Sequence, residues 1–394
     1  MTRMKMSEVG IDKMGFATTG LYLDMADLAR RRGVDPDKYT IGIGQREQSV
    51  APSSQDAVSL AAAAAKDALE GESLEGLDMV LLGTESAVDA SRAAAVYVKD
   101  LLRLPDEIRC VEVKQACYGA TAALFWALDY VSRREGRKVL VIGSDVARYG
   151  LNTAGEVTQG AGAVAMLISS NPKILSIEGD SVFMTVEAAD FWRPLYANCA
   201  LVNGRYSTQI YLEFFSKLWE RYRQNTKKSP EDFEAFLFHL PFAKMGLKAL
   251  KEVLKDASDE TFARLSKRFE ISAAYGRRVG NIYSGSLYLA LLSLLEGEAM
   301  DPGSKIAFFS YGSGAEAELF SATLKEGYSS RLSPSRHLKM IEGRRRVDMD
   351  EYEHLFSDFP PSSPQDYACD KKYFSGPFRL IGIKNQQRMY EADE

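Results

Sequence analysis

Val113–Leu124 reads VKQACYGATAAL, and it sets a single cysteine where an apolar strand gives way to a helix of small residues. Glu112–Gln115 reads as the end of a strand. Tyr118 to about Arg134 carries apolar residues on all sides, the mark of a buried helix and not a surface one. Cys117 then stands near that helix's N-terminus, where unpaired backbone N–H groups and the positive end of the macrodipole favour an anion. The expectation is a thiolate that can act as a nucleophile. The plainer alternative is a packed core cysteine, since free cysteine is among the most buried residue types.

On either side of this stretch, short apolar runs alternate with helical patterns, which predicts α/β layering. Met79–Gly83, Lys138–Gly143, Ala161–Ile168, Ala235–Phe238 and Ile306–Ser310 read as buried strands. Helices are expected over Ser53–Glu70, Ser91–Leu102, Thr208–Gln224, Lys244–Lys255 and Ser286–Glu296. Ser53 or Ser54 is the expected N-cap of the first of these, and its Ala61–Ala65 run calls for close packing against a neighbour. Asn171–Pro172 is a turn signal and divides the chain into two halves, 1–170 and 171–394. No Gly-, Ser- or Pro-rich linker separates them, so the halves are expected to share an interface. Phe359–Pro364 (FPPSSP) breaks any helix, and Pro377–Ile383 reads as a late strand added to an existing sheet.

At 394 residues, 46% hydrophobic and 26% charged, the chain is a folded protein large enough for two core-bearing halves. Its formal net charge of −5 and scattered basic residues argue against a nucleic-acid partner. The longest basic runs, Arg30–Arg32 and Arg344–Arg346, read as solvated helix surface. Met1, Arg3 and Lys5 precede no apolar h-region, and no window approaches the roughly 18 apolar residues of a membrane span. The expectation is a cytoplasmic protein with no membrane partner. Cys110, Cys117, Cys199 and Cys369 have neither metal-ligand spacing nor disulfide-scaffold density, which suits a reducing compartment.

Polar residues at strand ends point towards catalysis. Glu85 follows MVLLGT, His239 follows AFLF, and Ser313 lies in SYGSG directly after IAFFS. In layered α/β folds the loops beyond strand ends carry sites on a rigid support. Each residue has a structural alternative: a capping or solvated glutamate, a hydrogen-bonded histidine, a turn serine. Asn281 in GNIYSGS could simply cap the next helix. Taken together, nucleophile, carboxylate and imidazole on separate strand ends make an acid–base–nucleophile set.

The segments GTESAVDASRAAAVYV, KQACYGATAAL, YGLNTAGEVTQGAGAVAML, DFWRP, FHLPFAKMG, VGNIYSGSLYLALLSLLE and FSYGSG resemble, in order and spacing, the bacterial 3-hydroxy-3-methylglutaryl-CoA synthase family of the thiolase superfamily. The similarity runs from IDKMGF through the final strand. It implies a thiolase-like fold, with two similar halves making a duplicated five-layered αβαβα core, usually as a homodimer. It implies the joining of acetyl-CoA to acetoacetyl-CoA, giving HMG-CoA and CoA on the mevalonate route to isoprenoids, with the CoA thioesters as substrates and no metal or other cofactor.

By the same resemblance Cys117 is the acetylated nucleophile, Glu85 the general base or acid, and His239 the group that orients and polarises acetoacetyl-CoA. The backbone N–H of Cys117 and the SYGSG turn could serve the developing oxyanions. Asp35, Pro36 and Lys38 resemble the CoA-contacting loop, Lys244 and Lys248 the lysine pair after the histidine, and Thr158, Ser207, Asn281 and Ser313 the lining of the acyl pocket. Val157 departs from the proline expected before Thr158, which puts the geometry of that loop in question. Two rival readings stand beside this one: a β-branching relative acting on acyl-carrier-bound groups, and a non-catalytic protein on the same scaffold.

Overall fold

The computed structural model describes residues 8–393, so Met1, Arg3 and Lys5 lie outside the described residues. Its centre is a ten-stranded mixed sheet. From one edge the order is Arg109–Val113, Leu77–Gly83, Lys138–Ala147, Gly160–Ser170, Val9–Thr18, Leu175–Ile177, Glu316–Leu324, Lys305–Gly312 and Ala235–Phe238, with Val182–Thr185 also paired to Glu316–Leu324. Read outward from the centre, the two sides repeat each other. Each has a first strand antiparallel to the last of its half, which is antiparallel to the one before it, which is parallel to the second. The N-terminal side adds Arg109–Val113 as a further parallel edge strand. Val9–Thr18 and Leu175–Ile177 join the sides through Gly10–Ser176 and Ile11–Leu175 pairs.

Alternation along the strands separates two cores. Val80, Leu82, Leu140 and Ile142 pack with the helices Ala57–Leu69 and Ala94–Leu101 on the outer face. Met79, Leu81, Val139 and Val141 face inward with Ala120, Leu124 and Leu128 of the helix Gly119–Ser132. The C-terminal side divides the same way. Phe309 and Tyr311 meet Tyr211 of the outer helix Gly204–Thr226. Phe320, paired with Phe308, meets Phe125 of the inner helix, and Ser310 bonds Thr121 at 2.8 Å. Gly119–Ser132 and Ser286–Gly297 therefore form a central helical layer, joined by the Thr121–Tyr288 hydroxyl pair at 2.8 Å. The layering is the thiolase-like arrangement implied by the resemblance.

Several local expectations change. The helix expected from Ser53 begins at Ala57, because Asp56 caps it and Ser59 completes a reciprocal capping box. Ser53 instead bonds Asp358 at 2.7 Å. The alanine run does pack closely: a Cβ on Gly15 would stand 2.3 Å from the Ala64 carbonyl oxygen. The basic runs are not solvated throughout. Arg32 bonds Glu156 at 2.7 Å, and Arg344 is buried against Glu47, Ser49 and the Arg278 carbonyl. Phe378–Lys384 does form a strand, but in a separate three-stranded sheet with Tyr367–Ala368 and Gln387–Ala392, since the central sheet's edges lie elsewhere. No described helix is long and apolar enough to cross a membrane.

Candidate active site

The strands Leu77–Gly83, Arg109–Val113 and Lys138–Ala147 run parallel, so their carboxyl ends open on one side. Glu85 follows the first of these. Cys117 lies between the second and the helix Gly119–Ser132, on a turn in which Ala116 takes φ 42° and Tyr118 N–H bonds the Gln115 carbonyl at 2.9 Å. That left-handed alanine is a local strain which presents the next side chain ahead of the helix. Cys117 Sγ lies 3.2 Å from Glu85 Oε1.

The environment around this pair is apolar and negatively charged. Ala147, Phe191, Ala200 and Tyr283 form a small core against which Cys117 and Tyr149 pack. Burial, reinforced by the nearby Asp145 charge, raises Glu85 to about 8, against the contact with Cys117 and the charge of Arg193. Burial, followed by the Glu85 charge, pushes the Cys117 thiol well above its ordinary value. This corrects the expectation of a resting thiolate: the helix N-terminus is outweighed by desolvation and by carboxylates. The thiol needs a base, and Glu85 is in contact to be that base.

Asp145 was invisible to motif reading and organises the site. Its Oδ1 accepts from Thr84 Oγ1 (2.8 Å), Glu85 N (2.9 Å), Ser86 N (2.9 Å) and Ser86 Oγ (2.8 Å). Its Oδ2 accepts from Ser284 N and Oγ at 3.1 and 2.6 Å. The only available signal was an aspartate within the otherwise apolar strand Lys138–Ala147. Asp190 plays a similar part from the DFWRP segment, accepting from Ser207 Oγ at 3.0 Å, Tyr311 OH at 2.8 Å and Gly314 N at 2.9 Å. Arg193 of the same segment donates to the Glu85 carbonyl.

His239 ends the strand Ala235–Phe238, where its N–H bonds the Phe309 carbonyl at 2.8 Å. The side chain is buried, and its Nδ1 has no hydrogen-bond partner among the described residues. Burial lowers it to about 3, so the ring is neutral at physiological pH. Parallel register sets it level with Ser310, whose hydroxyl bonds Thr121 one helical turn beyond Cys117. On the next strand, Gly312 rests against Gln115 and Tyr118, where a Cβ would stand 2.6 Å from the Gln115 oxygen. This close approach seats the SYGSG turn, with half-buried Ser313, on the Cys117 loop.

The remaining predicted residues fall into two groups. Asn281 Nδ2 donates to Tyr149 OH at 3.3 Å, while its Oδ1 accepts from Tyr283 N and Ser286 Oγ, both at 2.9 Å. It is therefore a cap and a tether to the aromatic wall beside Cys117. Asn281 N–H bonds the Thr158 carbonyl at 3.3 Å, and the Thr158 hydroxyl bonds Gly155 at 2.9 Å. Val157 forms the turn Glu156–Thr158 without proline by burying its side chain against the core of Leu21 and Leu23. The second group lies at the surface. Exposed Asp35 and Lys38 flank Pro36 at the start of the helical segment Lys38–Ile43, and Gly44 after it packs on Ala243 and Lys244. Lys248 is exposed one turn along the helix Ala243–Leu254, its Nζ 5.9 Å from the Phe242 ring centre. The two expected CoA-contacting segments are thus brought side by side.

Comparison with known proteins follows this geometry. Residues 5–173 match the family described as hydroxymethylglutaryl-coenzyme A synthase N terminal, and residues 248–355 match its C-terminal counterpart. The hydroxymethylglutaryl-CoA synthase of Enterococcus faecalis is 45% identical over 97% of this chain and 99% of its own. A crystal structure of an HMG-CoA synthase complexed with CoA superposes with a TM-score of 0.95 at 42% identity, covering 98% of this chain and all of that one. The polyketide-biosynthesis 3-hydroxy-3-methylglutaryl-ACP synthase of Bacillus subtilis is 29% identical over 89% of this chain and 88% of its own.

Proposed function

The chain belongs to the hydroxymethylglutaryl-CoA synthase family, and from that premise we propose that it condenses acetyl-CoA with acetoacetyl-CoA and water, giving (S)-3-hydroxy-3-methylglutaryl-CoA and free CoA through an acetyl-Cys117 intermediate. The observation that carries this reading is the 3.2 Å contact of Cys117 Sγ with Glu85 Oε1 inside a desolvated pocket. Glu85 takes the thiol proton as sulfur attacks the acetyl carbonyl, and the proton leaves on the CoA sulfur. With Cys117 acylated, the ionised carboxylate removes a proton from the acetyl methyl group, and the enolate carbon attacks the ketone of acetoacetyl-CoA. Neutral His239 keeps one ring N–H to hydrogen-bond that ketone oxygen and the alkoxide it becomes, and the alkoxide takes up the proton that Glu85 removed from the methyl group, which gives the tertiary alcohol and restores the carboxylate. Water then cleaves the Cys117 thioester, which frees the thiol and forms the product's carboxylate.

Lys38, Lys244 and Lys248 are the proposed contacts for the phosphates of CoA, with Asp35 and Pro36 shaping the loop beside them. Thr158, Ser207, Asn281 and Ser313 are proposed to line the acyl pocket. The reading takes CoA thioesters as substrates, uses no metal or resident cofactor, and places the protein as a cytoplasmic homodimer in the mevalonate route. The repeated strand order supports a division into halves at Asn171–Pro172. Free CoA substrates are favoured over carrier-bound ones by 45% against 29% identity to the respective relatives.

The test is acylation with labelled acetyl-CoA. Wild-type protein should take up one acetyl group and Cys117→Ala none, while Cys110, Cys199 and Cys369 can be replaced without loss. Labelling of Cys117→Ala at the wild-type rate sinks the proposal. Acylation that required an acyl carrier protein would favour the β-branching reading.

A further inference from the structure

The helix Ala57–Leu69 packs one side on the sheet, and its outward stripe of Ser59, Ala63 and Lys66, continued by Glu70, lines a cavity of about 860 Å³. That volume lies in the range of roughly 300–1,000 Å³ typical of small-molecule sites. None of Glu85, Cys117 or His239 lines it. Leu102 and Leu104, Met340 of the helix Pro334–Glu342, and Pro377 and Phe378 supply apolar walls.

Two features of the lining ask for a ligand. Gln55 is 6% exposed, and its amide nitrogen donates to the Ser375 carbonyl at 2.7 Å. Gln55 lines the cavity, and its Oε1 is buried with no partner among the described residues. Such an acceptor calls for a group that carries its own donor into the recess. The second feature is charge. The carboxylates in the wall are already engaged: Asp67 by His337 and Arg336, Glu70 by Arg336, and Glu72 by Lys13 and Arg331. The ammonium groups of Lys66 and Lys339 have no carboxylate partner among the described residues. Lys66 only overlies the Phe378 ring at 5.6 Å.

We propose that this cavity binds an amphipathic acid: an apolar chain along the outward stripe of Ala57–Leu69, an anionic head at Lys66 and Lys339, and a hydroxyl donating to Gln55. Carboxylate and phosphate heads share the chemistry that the lysines recognise. The site is separated from Cys117 by the helix and the sheet, so occupancy leaves the cysteine open to acylation.

The experiment is calorimetric titration of the full chain with ω-hydroxylaurate, laurate and lauryl phosphate below their micelle concentrations. Saturable binding of one equivalent is expected, tighter for the hydroxylated chain than for laurate. A tighter lauryl phosphate identifies the head as a phosphate, a tighter laurate as a carboxylate. The double variant Lys66→Glu/Lys339→Glu should bind about tenfold more weakly or worse. Ala63→Phe, which fills the groove, should abolish binding. Both variants should keep wild-type condensation activity, which also reports that they are folded. The proposal is overturned by absence of saturable binding, by equal affinity for laurate and its hydroxylated form, or by affinity unchanged in both variants. Self-association that Ala63→Phe removes, without ligand binding, would make the groove a contact between copies instead and would also overturn it.

Discussion

Between Cys117 Sγ and Glu85 Oε1 there is room for one proton, and the atom that holds it sets which step can occur. Glu85 is raised to about 8 by burial and Asp145, so at neutral pH most of it is protonated. The ionised fraction that can take the thiol or methyl proton grows as pH rises and levels off above about 8. Condensation should therefore accelerate between pH 6 and 8 and then plateau. Glu85→Gln should lose this rise and slow condensation by a factor of about 10² to 10⁴, read by product formation and by exchange of the acetyl methyl protons into deuterated water. Retention of both exchange and the pH profile in Glu85→Gln would leave the reaction without its base. His239→Ala should acylate normally yet bind acetoacetyl-CoA poorly, since its neutral ring is proposed to serve the acceptor ketone. Loss of acylation with normal acceptor binding would contradict that role. Cys117, Glu85 and His239 were legible because each interrupts an apolar run at a strand end. Asp145 was not, because one aspartate inside a strand has no pattern, and its function lies in six hydrogen bonds to residues distant in sequence.

At the scale of elements, His337 shows how helices without sequence continuity are fastened. It sits on Pro334–Glu342, wholly buried, with Nδ1 2.8 Å from Glu296 of the central helix Ser286–Gly297 and Nε2 2.8 Å from Asp67 of the outer helix Ala57–Leu69. Burial pulls its pKa down, but the hydrogen bonds and charges of Asp67 and Glu296 outweigh that and raise it to about 9. A raised folded-state pKa stabilises fully below the unfolded value near 6.5, and that contribution disappears as pH rises through about 9. The shift corresponds to a contribution on the order of 3 kcal/mol. Denaturant unfolding of wild type should show stability falling from pH 6.5 to 9.5, and His337→Gln should be less stable at pH 6.5 and fall less steeply over that window, the part of the fall below about pH 8 that remains belonging to buried Glu85. A wild-type slope kept in the variant would assign the pH dependence to other groups. None of this was readable from periodicity, which finds elements buried on one or both faces and is silent where charge does the fastening. The same limit hid the strand Val9–Thr18. Gly10, Asp12, Lys13 and Gly15 interrupt its apolar pattern, and Asp12 and Lys13 are satisfied by Arg331 and by Glu70 and Glu72, all distant in sequence.

For the whole molecule, the decisive contact is the one that sets the two sides in register across the site. Gly143 lies in the strand Lys138–Ala147 of the N-terminal side, and a Cβ built on it would stand 2.9 Å from Cα of Gly285, just before the central helix Ser286–Gly297. Only a residue without a side chain allows this backbone-to-backbone approach. Two residues on, Asp145 reaches Ser284 on the facing side while holding the Thr84–Ser86 loop on its own. The close approach and the hydrogen bonds are thus one device: the glycine contact fixes the spacing that lets one carboxylate position Glu85 from both sides. The resemblance implied the duplication. Strand periodicity could not, since it contains no information on how separate runs stack. Gly143→Ala inserts a methyl group where neither backbone can yield cheaply, and overpacking of this kind costs about 1–3 kcal/mol. The variant should lose that much stability in denaturant unfolding. It should also lose condensation activity beyond what the unfolded fraction accounts for, because displacing Ser284 relends Asp145 to one side and moves Glu85 from Cys117. Leu140→Ala, which opens a cavity in the outer core, is the control: it should cost about 2–5 kcal/mol and leave turnover per folded molecule unchanged. Equal activity per folded molecule in both variants would show that the spacing at Gly143 serves stability alone.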